Sequence, residues 1–546
     1  MLEVAQASAA QCQSWQARVA SMLVRLGWPE PEISALEHRV GASLAFSAPM
    51  DVLLTATEVN EWAWLGAAQA SDLAPLSPGF PSLSDRACAE QTLQRMAAAE
   101  ARPALRLLAQ ESERRRIPCL VDDEIVSLGA GEGGQSWPID APPASPVWEQ
   151  LSDIPTALVT GSNGKTTSVR LIAAMLAAAG KRSGFNCTDG VFIDGEAVLS
   201  GDYSGPGGAR AVLRDHRVQA AVLETARGGI LRRGLAVHRA KVGLVTNISA
   251  DHFGEYGVNS LADLAKVKLV LAKAISADGL LVLNADDASL CAQAGALKVP
   301  LAWFGMDIDG PALRIAIASG RPVAGYRDGR LFLQQGSSAF DLGVAGDMPL
   351  TLGGTAIYNL ANIAGAALAA WALGAAPEGI RELLRAFGNS RKDNPGRLER
   401  WCIDGASVLV DYAHNPEGLA GLLAVAEGLR SPEGRLSLLL GQAGNREDSA
   451  IAALAATAAA ARPVRVLLKD IDGYLRGRAQ GEVAALLSRQ LQLHGISADA
   501  IGIELSEVEA ARQLVEAAGP GDVVVLPVHN LEARARLVTW LDARSL

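Results

Sequence analysis

Short apolar runs recur along the middle of the chain, each followed by a polar or glycine-rich stretch and then a helix-length segment. Residues 156–160, 220–224, 243–247 and 280–284 are such runs, and 169–179 reads as an intervening helix. Continuous apolar runs of this size suit strands buried on both faces. Their alternation with helices predicts a mostly parallel α/β sheet. The rhythm breaks near 389–397, where a charged stretch precedes Asn394-Pro395-Gly396. It restarts at 407–411, 436–440, 464–469 and 522–527, which predicts a smaller Rossmann-like, doubly wound domain ending at Leu546. Residues 1–150 read as a helix-rich α/β segment. Four glycines at 129–134 and Pro138, Pro142, Pro143 and Pro146 mark its tail, 128–148, as loop or linker. Three domains are therefore expected: 1–150, 151–393 and 394–546. The most apolar stretch, 363–376, is shorter than the roughly 20 residues that span a bilayer and reads as a buried Ala-rich helix.

Composition narrows the function classes. The 546 residues carry 49 Lys and Arg against 59 Asp and Glu, a formal net charge of -10. That balance excludes a general nucleic-acid binder, which works through a basic surface. Six cysteines are scattered without a C-x-x-C pair, so neither a disulfide framework nor a zinc site is expected, and a reducing cytoplasm is. Gln, Ser and Glu interrupt the first twenty residues, so neither a targeting segment nor a membrane partner is expected.

Chemistry concentrates at Gly161-Ser162-Asn163-Gly164-Lys165-Thr166-Thr167, between the run at 156–160 and the following helix. Glycines let several backbone N–H groups face one anion, and the helix N-terminus adds its positive dipole end. Lys165 can reach the β- and γ-phosphates of a nucleotide, and the Thr166 hydroxyl can ligate Mg²⁺. The loop is a shortened variant, with Val159 where the longer motif has glycine. An ordinary strand-to-helix turn is the competing reading. Glu224 ends an apolar run, where it serves either a phosphate site or a neighbouring helix as a cap. Asn359 and Asn362 share a helix face or act as N-caps.

This loop, Leu223-Glu224-Thr225-Ala226-Arg227-Gly228-Gly229, Thr246-Asn247, Asp251-His252, Asn394-Pro395-Gly396-Arg397 and Asp411-Tyr412-Ala413-His414-Asn415-Pro416 together resemble the Mur ligase superfamily. Thr188-Asp189-Gly190, Glu224 to Gly234, Asn284-Ala285-Asp286-Asp287 and Arg476-Gly477-Arg478 are similar to the C-terminal, Mur-like half of the cyanophycin synthetases. The likeness covers about 150–546. It implies a central P-loop ATPase domain, a closing C-terminal domain, and ATP-driven ligation through an acyl phosphate that an amine attacks.

The resemblance also implies roles for particular residues. Gly161, Asn163, Gly164, Lys165, Thr166 and Thr167 would hold the ATP phosphates. Thr166, Glu224 and His252 would ligate Mg²⁺, with two ions expected, although a lone His also serves as a structural hydrogen-bonder. A lysine carbamylated by CO₂ would hold the second ion; Lys268 is favoured over Lys266. Asn359 would contact adenine, with Tyr358 standing where the superfamily has His, and Arg397, Asp411 and His414 would close on the nucleotide. Thr188, Asp189 and Arg227 would meet the acid substrate and Arg446 the incoming amino acid. Glu447, Asp448 or Asp470 would pair with an arginine amine, or stand as solvated surface charges.

A cyanophycin synthetase carries an ATP-grasp module ahead of its Mur-like half. Only about 150 residues, without a second phosphate loop, precede that half here. A single ligation is expected, joining an amino acid to an acidic side chain or terminus. Residues 1–150 would position substrate or build a homo-oligomer. Two alternatives are a Mur ligase acting on a cell-wall precursor and a non-catalytic ATP-binding regulator.

Overall fold

The computed structural model describes residues 1–28, 31–38, 41–68, 86–250 and 253–545. An eleven-stranded sheet has Thr156–Thr160 near its middle, with Ala220–Glu224 and Ala240–Val245 parallel on either side. Seven central strands run parallel, as the apolar runs predict. Antiparallel strands extend both edges, Gly190–Ile193 and Glu196–Ser200 on one, Arg330–Gln335 and Ser338–Val344 on the other. These departures from a parallel sheet turn on Asp194-Gly195 and Asp328-Gly329. All four residues have positive φ, which two-residue hairpin turns with the strand twist demand.

The helices Lys165–Ala178 and Ile357–Ala372 pack together on one face of this sheet and share a core with Val159, Val222, Val242 and Phe304. The Ala-rich helix is buried along most of its length, because small side chains let it lie close to its neighbours. The C-terminal sheet has six strands. Glu399–Ile403 is its antiparallel edge, and Ala406–Asp411, Val523–Pro527, Leu436–Leu440, Arg465–Leu468 and Ile501–Ile503 follow in parallel. Apolar clusters on both faces make it doubly wound.

The N-terminal residues form a small antiparallel sheet, Leu2–Ala5, Gly41–Phe46 and Ile33–His38, covered by the helices Ala9–Arg25 and Leu53–Ala67. Trp15 and Trp62 lie in its separate core. The stretch expected to be loop or linker is irregular over 139–147 but also holds the strand Gln135–Pro138. Ile125–Leu128 pairs with Cys119–Val121 on one side and Gln135–Pro138 on the other, a second antiparallel sheet docked on the central domain. Arg214 reaches the Asp122 carboxylate and the carbonyls of Leu120 and Ile125. The glycines serve close approach rather than slack: a Cβ on Gly131 would sit 2.1 Å from the Val218 carbonyl oxygen. Among the described residues no helix is long and apolar enough to cross a membrane.

Candidate active site

The phosphate loop leaves the central strand Thr156–Thr160 and enters the helix Lys165–Ala178 through Gly164, whose φ of +79° favours glycine. A Cβ there would fall 2.0 Å from Asn362 Oδ1. Neighbouring strand ends pin the loop. Asn247 accepts from Ser162 N and Asn163 N, each at 2.9 Å, and Thr246 Oγ1 donates to the Asn163 carbonyl at 2.6 Å. Lys165 Nζ donates to the carbonyls of Gly161 (3.0 Å) and Ser162 (3.1 Å). Lys268 Nζ donates to the same Gly161 oxygen at 2.8 Å. The two lysines thus share one carbonyl oxygen at the loop mouth.

Glu224 ends its strand almost wholly buried. Its two carboxylate oxygens accept from Thr166 Oγ1 (2.8 Å) and Thr188 Oγ1 (3.2 Å), and Asn186 Nδ2 fixes its carbonyl at 3.1 Å. Burial pushes the Glu224 carboxyl up, against the pull of Lys165. Arg397 Nη2 donates to Thr166 Oγ1 at 3.3 Å, and its guanidinium lies over the Tyr412 ring at 4.6 Å. Hard oxygens from Thr166 and Glu224 suit Mg²⁺, and a cation there would relieve the buried carboxylate. No cluster of three His, Cys, Asp or Glu gathers among the described residues. Asp251 and His252 lie outside the described residues.

Two cavities meet at Lys165. One, of about 160 Å³, is walled by the phosphate loop, Thr188, Glu224, Tyr358, Asn359, Asn362, Arg397, Asp411 and His414. The other is a cleft of about 990 Å³ whose wall includes Lys268, Arg227, Arg232, Arg233, Arg446 and Arg476. Ser162, Lys165, Tyr412 and His414 border both.

The smaller pocket thus opens at Lys165 onto a basic cleft, between the P-loop sheet and the C-terminal domain. Residues 159–370 match the Mur ligase middle domain, and residues 396–527 match the Mur ligase, glutamate ligase domain. The chain belongs to the Mur ligase family. These two domains are those of ATP-dependent, ADP-forming carboxylate–amine ligases. The chain is 37% identical to a cyanophycin synthetase of Crocosphaera subtropica over 417 residues, 74% of this chain and 47% of that one. It is 29% identical over 308 residues to the UDP-N-acetylmuramoyl-L-alanyl-D-glutamate--2,6-diaminopimelate ligase of Chlamydia pneumoniae, 55% of this chain and 59% of that one. It spans about half the length of the cyanophycin synthetases it matches. A folylpolyglutamate synthase/dihydrofolate synthase from Yersinia pestis, solved with AMPPNP and Mn, shares the fold. Its TM-score is 0.52 at 20% identity, covering 71% of this chain and 89% of that one.

Against this Mur ligase frame, the residues singled out in the sequence take distinct places. Thr167 Oγ1 accepts from Asn394 Nδ2 of the interdomain linker at 3.2 Å. Asn359 is buried, donating to the Leu350 carbonyl (2.9 Å) and accepting from Asn362 (3.1 Å). Neither asparagine is the N-cap, which is Ala356. Asp411 accepts from Leu398 N at 2.7 Å, and burial pushes its carboxyl up against the opposing charge of Arg397. Lys268 is buried at the cleft, whereas Lys266, two residues earlier on the helix Leu261–Lys268, is exposed. Arg227 pairs with Glu255, which also accepts from Asn445 of the C-terminal domain at 3.1 Å. Asp189 borders neither cavity. Arg170 (2.5 Å) and Arg534 (2.6 Å) hold its carboxylate. Asp448 pairs with Arg478, and Asp470 accepts from Gly481 N, so both already have internal partners.

Sequence reasoning missed several neighbours of the site. Asn163 accepts from Asn415 and donates to Glu417, each at 2.9 Å, so the phosphate loop touches the closing domain directly. Tyr412 and Asn415 lie inside the motif Asp411-Tyr412-Ala413-His414-Asn415-Pro416 and are legible there; Arg170, Arg534 and His529 carry no local signal. Glu3 and His38, a pair 3.2 Å apart in the N-terminal sheet, reach the cleft wall.

Proposed function

We propose that this protein uses Mg-ATP to phosphorylate a carboxylate and joins the resulting acyl group to the amine of an amino acid. A carboxylate oxygen of the acid attacks the γ-phosphorus, the bond to the β-phosphate oxygen breaks, and ADP leaves. The amine nitrogen then attacks the acyl carbon, loses a proton, and inorganic phosphate departs. The observation that carries this reading is the position of Lys165, on the wall of both cavities and beside the Thr166–Glu224 pair. One ammonium there offsets the repulsion between the γ-phosphate and the incoming carboxylate. Mg²⁺, when bound by Thr166 and Glu224, would add charge neutralisation at the same place. Arg397 supplies a guanidinium that suits phosphate, held over the Tyr412 ring.

The acid is proposed to be an acidic side chain or peptide terminus, in a branch ligation like that of the cyanophycin synthetases the chain resembles. Arg227, Arg232, Arg233, Arg446 and Arg476 give the cleft the charge for such a substrate. Glu3 and His38 support a role for the N-terminal region in holding its far end. All six cysteines are free, which fits a reducing, cytoplasmic setting. Purified protein with Mg-ATP should release ADP and phosphate only when an acid and an amino acid are both present. A panel of β-aspartyl peptides against free amino acids, read by phosphate release and product mass, tests this. ATP binding with no productive pair would replace the ligase with a regulator.

Lys268 is the proposed carbamylation site. An ammonium beside Lys165 is repelled by it, and carbamylation converts that cation to an anion. Lys268→Ala should lower turnover at least tenfold, with partial recovery in formate or acetate, and Lys266→Ala should leave it unchanged. The reverse pattern transfers the role to Lys266.

Tyr358 offers a separate check. Its hydroxyl is buried at the smaller cavity with no hydrogen-bond partner among the described residues. Tyr358→Phe should leave the melting temperature unchanged or raise it, because an unsatisfied hydroxyl destabilises by about 1–3 kcal/mol. The same change should weaken ATP binding severalfold if the hydroxyl meets the nucleotide. Equal affinity in a titration of both proteins would remove Tyr358 from the site.

A further inference from the structure

The loop bearing Tyr412, Ala413 and His414 leaves the strand Ala406–Asp411 at the carboxyl edge of the C-terminal sheet, between the two cavities. What holds it is a buried charged cluster drawn from three other segments. Lys469 follows the strand Arg465–Leu468, Glu507 opens the helix Glu507–Glu516, and His529 follows the strand Val523–Pro527. Their side chains are 0%, 2% and 5% exposed. Lys469 Nζ contacts a Glu507 carboxylate oxygen and stands 3.1 Å from His529 Nδ1. Glu507 also accepts the backbone N–H groups of His529 (2.9 Å) and Asn530 (3.1 Å). His529 Nε2 lies 3.0 Å from the Ala413 carbonyl oxygen, and its ring packs edge-on against Tyr412 at 5.3 Å.

Each contact fixes the next. A protonated Lys469 can only donate, so Nδ1 of His529 accepts and the ring proton resides on Nε2, where it donates to Ala413. Burial, reinforced by Lys469, holds His529 well below its ordinary pKa and keeps the ring neutral. The opposite tautomer would set two lone pairs against each other at the Ala413 carbonyl. Gly441 makes room for the lysine: a Cβ there would lie 2.9 Å from Lys469 Cγ. A domain core gains little net stability from a buried ion pair, because desolvation offsets the attraction. The cluster instead restricts one loop to one conformation.

We propose that Lys469, Glu507 and His529 are positioning residues that lock the Tyr412-Ala413-His414 loop, and through Tyr412 the Arg397 guanidinium, in the conformation that meets ATP. This rests on the nucleotide site assigned above. The path runs from Glu507 and Lys469 through His529 Nε2 to Ala413, and from the Tyr412 ring to Arg397, whose Nη2 reaches Thr166.

Binding of a fluorescent Mg-ATP analogue, melting temperature, and KM for ATP against kcat distinguish this from simple packing. His529→Leu should raise the dissociation constant and the KM for ATP about tenfold, with kcat changed less than threefold. His529→Gln, which keeps an N–H for Ala413 and an acceptor for Lys469, should recover affinity to within threefold of wild type. Lys469→Met/Glu507→Gln should keep or raise the melting temperature while still raising KM. Wild-type affinity in His529→Leu overturns the relay, and so does a Gln variant as impaired as the Leu variant, since packing alone would then explain both. Failure of the wild-type protein to bind Mg-ATP is a different result, and it removes the nucleotide site itself.

Discussion

Replacing Lys165 with alanine is expected to lower ATP turnover about a thousand-fold while the fold and its melting temperature stay near those of the wild type. The size follows from loss of a fixed charge where anionic oxygens crowd, an effect of about 10²–10³ even for a single neutral donor. The fold should survive because, among the described residues, the ammonium donates to the Gly161 and Ser162 carbonyls alone, and Lys268 still covers the first of these. Lys165→Arg should recover little, because the planar fork cannot enter the space a compact ammonium occupies beside Lys268. Phosphate release with a productive acid–amine pair, alongside circular dichroism, is the measurement. Unchanged turnover in Lys165→Ala would remove the phosphate loop from the chemistry.

Asp189→Ala is expected to have the largest effect on closure and stability. The side chain ties the phosphate-loop helix to the last helix of the closing domain through Arg170 and Arg534, 4% and 11% exposed. Arg170 continues to the linker, donating to Asn394 Oδ1 (3.1 Å) and the Pro395 carbonyl (2.8 Å). Removing the shared carboxylate strands two buried cations, a loss of about 3–5 kcal/mol. KM for ATP should rise as well, because the same linker delivers Arg397 to Thr166. Burial alone would raise the Asp189 pKa, but Arg397, Arg170 and Arg534 overcome it and hold the carboxyl at about 2. A depressed folded-state pKa contributes stability that is present above the unfolded value near 4. That stability is lost as pH falls through about 2. The wild type should therefore lose about 2 kcal/mol between pH 4 and pH 2, and Asp189→Asn should lack that part of the acid limb. Superimposable acid limbs in urea titrations of the two proteins would refute the pairing.

The parts of this chain legible in the sequence are those whose signal is local. Five-residue apolar runs at 156–160 and 220–224 gave strands with those bounds, and Glu224 ended its strand as the pattern required. The edge hairpins on Asp194-Gly195, Asp328-Gly329 and Asp404-Gly405 are not legible as hairpins: of the strands beside them only 407–411 reads as an apolar run, and most of the others are short and mix apolar with polar positions. Within 128–148 the loop pattern hides the strand Gln135–Pro138, because glycine and proline mark close backbone approach as readily as slack. The Arg170–Asp189–Arg534 latch and the Lys469–Glu507–His529 cluster join positions far apart in the chain. Nothing local distinguishes a buried lysine there from a surface one before the sheets are assembled.

One contact bears on how a catalytic cycle ends. Asn163 of the phosphate loop is bonded to Asn415 and Glu417, so the closing domain grips the same loop that would wrap the ADP phosphates. None of Asn163, Asn415 and Glu417 lines the wider cleft. Under the proposed ligation, product in that cleft is expected to leave without breaking the grip, whereas ADP is held until the two domains part. Added ADP should therefore inhibit turnover, which a product-inhibition assay of phosphate release would check.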